Sequence, residues 1–302
     1  MESLLARLPS RSRIAVIRWR SLGDCVLTTP ALALLKAHRP DLQIRMVVEP
    51  RFAGVFEENP DVDEIAPKVG RRADLVLNLH GGTRSMWMTL ASGARFRAGF
   101  GHHRYSQIYS HRIPRAQEIL GEERPVHTAE HLASAMFWLG VPRVEIPRAK
   151  LVCGGAPSDL PYVAIHPFAS QPDKTWPAEH FVVVAARLQN AGLEPMIIAG
   201  PADDISPFAR FQVFRNAPLA EVKNLMSGAT LFIGNDSGPA HIAAAFGVPV
   251  VVLFGPSDPV AWAPWRTEAR VLTSRSGIGE ITVDQVIAAA DALRNANVRA
   301  EA

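Results

Sequence analysis

The turn Gly234–His241 joins an apolar strand pattern to an apolar helix pattern, and it constrains the fold more than any other segment. The apolar run Ala229–Ile233 precedes it and Ile242–Phe246 follows it, as expected of a buried strand and a buried helix. Pro239 suits the first turn of a helix, where its missing N–H costs little. The N–H groups of such a helix start attract phosphate or carboxylate. The turn therefore predicts an anion site at a strand end, with simple helix capping as the alternative.

Both halves of the 302-residue chain alternate short apolar strands with helical patterns, which is typical of parallel sheets flanked by helices. This length favours two domains. The segment 147–161 carries prolines and the pair Gly154-Gly155, so it is read as a linker. We therefore expect an N-terminal domain over 1–154 and a C-terminal domain over 155–302. A last helical pattern, Val283–Asn295, fits against either domain.

Composition indicates a globular cytoplasmic protein. Hydrophobic residues make up 48% of the chain and charged residues 20%. No apolar run reaches the length needed to cross a bilayer, and residues 1–13 lack the apolar core of a signal peptide. Cys25 and Cys153 lie far apart in sequence, which argues against a disulfide framework.

Arginines and histidines gather between Arg95 and Arg115, although the formal net charge of the chain is only +3. A solvated loop is one interpretation of this cluster. The other is a surface for an acidic acceptor or an anionic membrane. Nucleic acid is disfavoured because no helix-turn-helix, zinc-finger or RNA-binding signature is present.

A carboxylate follows the first predicted strand, in the segment Arg18–Asp24. Asp24 stands at the carboxyl end of that strand beside Gly23, which lets a ligand approach, so it is a candidate general base. The competing interpretation is that Asp24 caps a helix, with Thr28 and Thr29 as rival caps before Pro30.

Two further strand ends in the second half carry candidate ligand groups. Lys174 lies in a polar loop and could neutralise a diphosphate, although a loop lysine is usually just solvated. Asp204 follows the next strand and could accept hydrogen bonds from ribose hydroxyls, with helix capping as the alternative. Because these loops and the Gly234–His241 turn follow strands of one sheet, we expect them to share a crevice.

Four segments together resemble glycosyltransferase family 9, the ADP-heptose:lipopolysaccharide heptosyltransferases. They are Ser21–Asp24 with the following Leu27–Leu32, Asp173–Pro177, Gly200–Asp204 and Asn235–His241. The resemblance implies an α/β fold of the GT-B type, in which two Rossmann-like domains with parallel sheets face a central cleft. It also implies acceptor binding by the N-terminal domain and nucleotide-sugar binding by the C-terminal domain.

By the same resemblance, Asp24 matches the catalytic base and Lys174 the lysine that binds the diphosphate. The implied donor-binding residues are Lys174, Thr175, Asp204, Asp236, Ser237, Gly238 and His241. The resemblance also implies acidic sugars or phosphorylated heptoses as acceptors. The candidate acceptor-binding residues, named as anion partners for such groups, are Arg51, Arg84, Arg97, His102, His103 and Arg104, together with Gly23.

The implied reaction is inverting transfer of a sugar, most simply heptose from ADP-heptose, to a lipopolysaccharide-core or related acidic glycan. A diphosphate leaving group needs charge stabilisation, which a lysine, a helix start and a histidine supply without a metal. No clustered carboxylates suggest a metal site, so we expect no metal and no cofactor. Peripheral contact with the inner membrane surface fits such an acceptor.

Alternative functions are a sugar-nucleotide epimerase of the same fold and a glycan-binding family member without activity. A dinucleotide-dependent oxidoreductase is disfavoured, because no Gly-x-Gly-x-x-Gly follows the first strand.

Overall fold

The computed structural model describes residues 2–70, 72–155 and 160–300, with side chains up to residue 296. The chain divides into two compact units, Met1–Val152 and Cys153–Ala302. Residues 156–159 of the expected linker lie outside the described part of the chain.

The first unit is a parallel sheet with helices. Its strands are β1 Arg13–Ile17, β2 Gln43–Val47, β3 Glu64–Ala66, β4 Leu75–Asn78, β5 Phe96–Phe100 and β6 His111–Ile113. Its helices are α1 Leu22–Val26, α2 Thr29–His38, α3 Thr83–Ala91, α4 Ala116–Leu120 and α5 Thr128–Leu139.

The strands of this unit lie in the order β3-β2-β1-β4-β5-β6, and every pair is parallel. The central strands β1 and β4 are buried almost throughout, as expected when both faces of a parallel sheet are covered. The order reverses between β1 and β4. In open parallel sheets, the crevice beside the carboxyl ends of two such strands is where ligands bind.

The second unit is also a parallel sheet with helices. Its strands are β7 Tyr162–His166, β8 Glu194–Ala199, β9 Gln212–Arg215, β10 Leu231–Asn235, β11 Val250–Phe254 and β12 Ala269–Thr273. Its helices are α6 Ala178–Asn190, α7 Leu219–Ser227, α8 Gly238–Ala245, α9 Pro259–Trp262 and α10 Val283–Ala300.

The second sheet repeats the topology of the first. Its order is β12-β11-β10-β7-β8-β9, again with parallel pairs, so the reversal falls between β7 and β10. Numbered within its own unit, each sheet has the strand order 3-2-1-4-5-6 of the Rossmann fold. Each unit is therefore Rossmann-like, and each topology marks one crevice for a ligand.

The helix α10 packs on the second unit, which decides between the two placements that the sequence allowed. Val286, Ala290 and Leu293 are buried in the same apolar core as Trp176 and Phe181. Trp176 is fully buried, and its indole N–H donates to the Ile281 carbonyl at 2.8 Å.

Part of the basic cluster is a strand and not a loop. The solvated-loop interpretation is wrong for Phe96–Phe100, because this segment forms β5 and pairs with β4 and β6. Arg97 is accommodated there because its guanidinium donates to the carbonyls of Ile108 at 3.1 Å and Ala94 at 3.2 Å. Hydrogen bonding to backbone carbonyls thus allows a cation within a largely buried strand.

Candidate active site

Three polar segments of the second unit follow neighbouring strands. The strand order places β7 between β10 and β8, so the carboxyl ends of all three lie along one edge. Lys174 lies in the loop after β7, Asp204 in the turn after β8, and Ser237 directly after β10. The expected grouping of these segments at one sheet edge therefore matches the topology.

The helix α8 begins at Gly238, with Ser237 in extended conformation as its N-cap. Its first turn holds no acidic residue and the Ser237 side chain makes no capping hydrogen bond, so its N–H groups form the positive end of the helix dipole. Lys174 adds charge beside it, since its Nζ lies 3.3 Å from the Asp236 carboxylate. His241 is buried within the helix.

The loop that carries Lys174 is fixed by a buried asparagine. Asn235 ends β10, accepts from the Trp176 backbone N–H at 3.1 Å and donates to the Pro167 carbonyl at 2.9 Å. A Cβ placed on Gly255, after β11, would come within 2.3 Å of the Asp173 carbonyl oxygen. Two contacts therefore hold the loop that carries Lys174. They are the hydrogen bonds of the Asn235 side-chain amide and the close backbone contact at Gly255.

The acidic turn after β8 makes local hydrogen bonds. Asp203 accepts from the Gly200 N–H at 2.7 Å, and Asp204 accepts from the Ser206 N–H at 3.0 Å. The Ser206 hydrogen bonds lower the pKa of the exposed Asp204 carboxyl. Neither Asp203 nor Asp204 is a helix N-cap, because the short 3-10 helix that follows, Ser206–Phe208, has Ile205 in that position. Ribose binding by Asp204 stays a prediction. Thr175 donates to the Gln171 carbonyl at 2.8 Å and so shapes its own loop.

In the first unit, Asp24 lies in the short helix α1 at the carboxyl end of β1. The N-cap of α1 is Ser21 and not Asp24, because Asp24 is the third residue of the helix. Its Oδ2 accepts from the Ser21 N–H at 3.1 Å and from the Ser21 hydroxyl at 2.8 Å. Gly23 is buried beside it. Asp24 therefore takes part in the helix start through a capping box.

The other Asp24 oxygen is paired with the Arg18 guanidinium, a contact that sequence reasoning missed. Arg18 also donates to the Leu79 carbonyl at 2.6 Å, which ties the ends of β1 and β4 together. A carboxylate has about four lone-pair positions, and the described residues supply three donors to Asp24. The side chain keeps 16% of its exposure, so a substrate hydroxyl has room to approach.

A group of aromatic and imidazole rings lies close to this ion pair. His131 stacks on Phe100 with ring centroids 4.0 Å apart, and the His102 and His103 rings lie within 5.5 Å of Phe100. Burial lowers the pKa of His103 to about 3 and of His131 and His80 to about 4, with neighbouring cations adding to the effect. At neutral pH these imidazoles offer hydrogen bonds but no charge.

The arginines expected on the acceptor side occupy different settings. Arg51 is exposed, pairs with Glu49 at 3.0 Å, and is free to change partner. Arg84 lies over the Trp19 ring at 4.1 Å. Arg104 is exposed, over the Tyr105 ring at 5.4 Å. Their charges remain accessible, whereas the Arg97 guanidinium is engaged by backbone carbonyls.

Residues 64–281 match the sequence profile of glycosyltransferase family 9 (heptosyltransferase). The chain belongs to glycosyltransferase family 9. Asp24 precedes the matched range, whereas the acceptor-side arginine Arg84 and all the donor-side residues lie within it.

Curated relatives of this family 9 protein carry heptosyltransferase names. Lipopolysaccharide heptosyltransferase 3 of Escherichia coli strain K12 is 28% identical over 294 residues, covering 80% of this chain and 82% of that protein. Lipopolysaccharide heptosyltransferase 1 of Pseudomonas aeruginosa is 25% identical over 288 residues, covering 82% of this chain and 79% of that protein.

Solved structures share the fold. A family 9 glycosyltransferase from Veillonella parvula superposes with a TM-score of 0.83 at 24% identity, covering 94% of this chain and 97% of that one. ADP-heptose lps heptosyltransferase II of E. coli superposes with a TM-score of 0.78 at 22% identity, covering 96% and 100%. The expected fold class, α/β with Rossmann-like units of the GT-B type, is confirmed.

Within the described ranges, no group of three or more histidine, cysteine, aspartate or glutamate side chains is arranged to hold a metal ion. None of the helices in those ranges combines the length and apolarity needed to span a membrane.

Sequence reasoning missed two side chains that contact candidate site residues, Arg18 beside Asp24 and His166 beside Ser237. Arg18 is the first residue of the segment that holds Asp24, and a cation at a strand end was its only signal. His166 opened the loop of Lys174, but its contact with Ser237 depends on the pairing of β7 with β10.

Proposed function

We propose that this family 9 glycosyltransferase moves heptose from ADP-heptose to a lipopolysaccharide-core or related acidic glycan, with inversion and without a metal. One observation carries the proposal: in each Rossmann-like unit, charged side chains suited to glycosyl transfer lie where the strand order reverses. The first unit holds there a partly accessible carboxylate, Asp24, paired with Arg18. The second holds a lysine beside a helix N-terminus.

The donor is assigned to the second unit. The Lys174 ammonium and the N–H groups of α8 stabilise the negative charge that builds on the departing diphosphate. Asp204 accepts from the ribose, and Thr175, Asp236 and His241 complete the donor site. An E. coli relative, heptosyltransferase WaaC, was solved with ADP and superposes with a TM-score of 0.77, which supports an adenine nucleotide as donor.

The acceptor and the base are assigned to the first unit. Asp24 takes the proton of the acceptor hydroxyl as that oxygen forms its bond to the anomeric carbon and the bond to the diphosphate breaks. Arg18 orients the carboxylate through their ion pair. Arg51, Arg84 and Arg104 attract an acidic acceptor, while Arg97, His102, His103 and the Gly23 backbone shape its binding surface.

A thermal-shift panel with ADP, UDP, GDP and their sugars tests the donor class. Stabilisation by ADP and ADP-heptose, and not by the other nucleotides, supports the proposal. Transfer that persists in EDTA supports metal independence, and the anomeric configuration of the product, read by NMR, tests inversion. Consumption of ADP-heptose without an acceptor would instead favour an epimerase.

We further propose a cytoplasmic enzyme that contacts the inner membrane surface through α3. Trp87 and Leu90 on this helix are 63% and 42% exposed, and the exposed Arg84 lies one turn before Trp87. Indole rings and arginines both favour the interface of an anionic bilayer. Co-sedimentation with phosphatidylglycerol vesicles should fall for Trp87→Ser and not for Val183→Ser, an exposed residue of the second unit. Equal binding by both variants would rule α3 out as the contact.

A further inference from the structure

His166 and Ser237 meet at the strand-order reversal of the second unit. The His166 Nδ1 lies 3.1 Å from the Ser237 Oγ. His166 ends β7 and pairs in register with Gly234 of β10. A Cβ on Gly234 would come within 2.8 Å of the His166 carbonyl oxygen, so glycine permits this close approach. Sheet register thus fixes the imidazole beside the N-cap of α8.

The hydrogen bond can run in either direction, and the direction decides what Ser237 offers a ligand. Burial lowers the pKa of His166 to about 4, so the ring is neutral at pH 7 and carries one N–H. If Nδ1 accepts, the only hydroxyl proton of Ser237 points at the ring and cannot point toward a ligand. If Nδ1–H donates, that proton is free to point toward an anion.

We infer that His166 is a positioning residue for the nucleotide-sugar: its Nδ1–H donates to Ser237 and turns the Ser237 hydroxyl proton toward the donor diphosphate. This inference rests on the proposed function, because it assigns the diphosphate to the N-terminus of α8. The opposite tautomer would place oxygen lone pairs against phosphate oxygens, which is repulsive.

Substitutions at position 166 separate the two ring nitrogens. An asparagine amide nitrogen is as many bonds from Cα as Nδ1, whereas a glutamine amide nitrogen corresponds to Nε2. We expect His166→Asn to keep ADP affinity within about threefold, and His166→Gln and His166→Ala to lose about five- to tenfold, by isothermal titration calorimetry at pH 7.5. Equal losses in the asparagine and glutamine variants would overturn the inference.

A double-mutant cycle with Ser237→Ala tests whether the effect passes through the hydroxyl. His166→Ala should weaken ADP binding in the wild-type background and have no further effect in the Ser237→Ala background. Equal losses in both backgrounds indicate a merely structural histidine and contradict the inference.

The tautomer itself is measured without any ligand. The ¹⁵N spectrum of histidine-labelled protein, with His166 assigned from the His166→Asn variant, should show the proton on Nδ1. A proton on Nε2 overturns the inference even where ADP binds normally. Absence of ADP binding in the wild-type protein, with the proton on Nδ1, instead overturns the donor assignment of the proposed function.

Discussion

The Lys174 ammonium lies 3.3 Å from the Asp236 carboxylate, which joins the loop after β7 to the turn after β10. Asp236 keeps only 9% of its side-chain exposure and Lys174 keeps 26%. The carboxylate therefore holds the lysine at the N-terminus of α8 before any anion arrives. A diphosphate that binds there gains a cation already in place.

Lys174→Ala should weaken ADP binding about tenfold or more, because a charge-assisted contact is lost and Asp236 is left facing the phosphates. The free energy of unfolding should fall by only about 1 kcal/mol, since the ion pair is partly exposed. Calorimetry and denaturant unfolding measure the two quantities. Lys68→Ala, at an exposed position of the first unit, is the control and should leave ADP affinity unchanged.

Gly255→Ala should weaken ADP binding without touching any charged group. The new Cβ would lie 2.3 Å from the Asp173 carbonyl oxygen, so the lysine loop must shift. A shift of this loop moves Lys174 away from α8. Gly279→Ala is the matched control, because nothing lies within 4 Å of its Cβ position. Equal ADP affinity in the two variants would show that the loop position does not matter for binding.

Asn235→Ala should destabilise the second unit by about 2–5 kcal/mol, because the Trp176 N–H and the Pro167 carbonyl lose their buried partner. Urea unfolding followed by circular dichroism measures the loss. Asn190→Ala, at the exposed end of α6, should change the free energy of unfolding by less than about 0.5 kcal/mol. A loss as small as that in Asn235→Ala would contradict the assigned hydrogen bonds.

The first unit should lose stability as pH falls from about 6.5 to 4. The pKa of His103 is lowered to about 3, and those of His80 and His131 to about 4. Below the ordinary histidine pKa of about 6.5, the unfolded chain binds protons that the folded unit does not, so unfolding becomes more favourable. The contribution of these histidines should level off between about pH 4 and pH 3, where the folded histidines also titrate.

His103→Gln removes one of these groups and should flatten the pH dependence, measured as urea midpoints between pH 7 and 4. His38→Gln, at an exposed position, should keep the wild-type slope. Identical slopes in all three proteins would exclude His103 as a source of the acid sensitivity.

The sequence predicted the parts of the fold whose apolar runs are uninterrupted. Strand β10 and helix α8 could be predicted because a polar turn separates two apolar segments. Strand β5 was hidden, since Arg97 interrupts its apolar pattern and one of the acceptors of this side chain, the Ile108 carbonyl, comes near only on folding. The placement of α10 was also undetermined, because its apolar stripe would suit either core.

Candidate site residues could be named from the sequence where a residue type alone suggests a chemistry. Asp24 and Lys174, a carboxylate and a lysine at strand ends, were named for that reason, and their roles stay predictions. Partner residues were not named, because the Arg18 contact with Asp24 and the His166 contact with Ser237 depend on how strand ends meet. The spacing of residues in the sequence does not predict these contacts.

The most direct measurement is heptose transfer by Asp24→Asn, with ADP affinity determined in the same preparation. Asparagine keeps an oxygen for the Ser21 N–H but cannot take a proton at neutral pH. Transfer should fall by about 100-fold or more, with ADP affinity within about twofold, while Asp63→Asn, another ion-paired aspartate of the first unit, should transfer normally. Transfer by Asp24→Asn at the wild-type rate would contradict the role of Asp24 as base and, with it, the proposed mechanism.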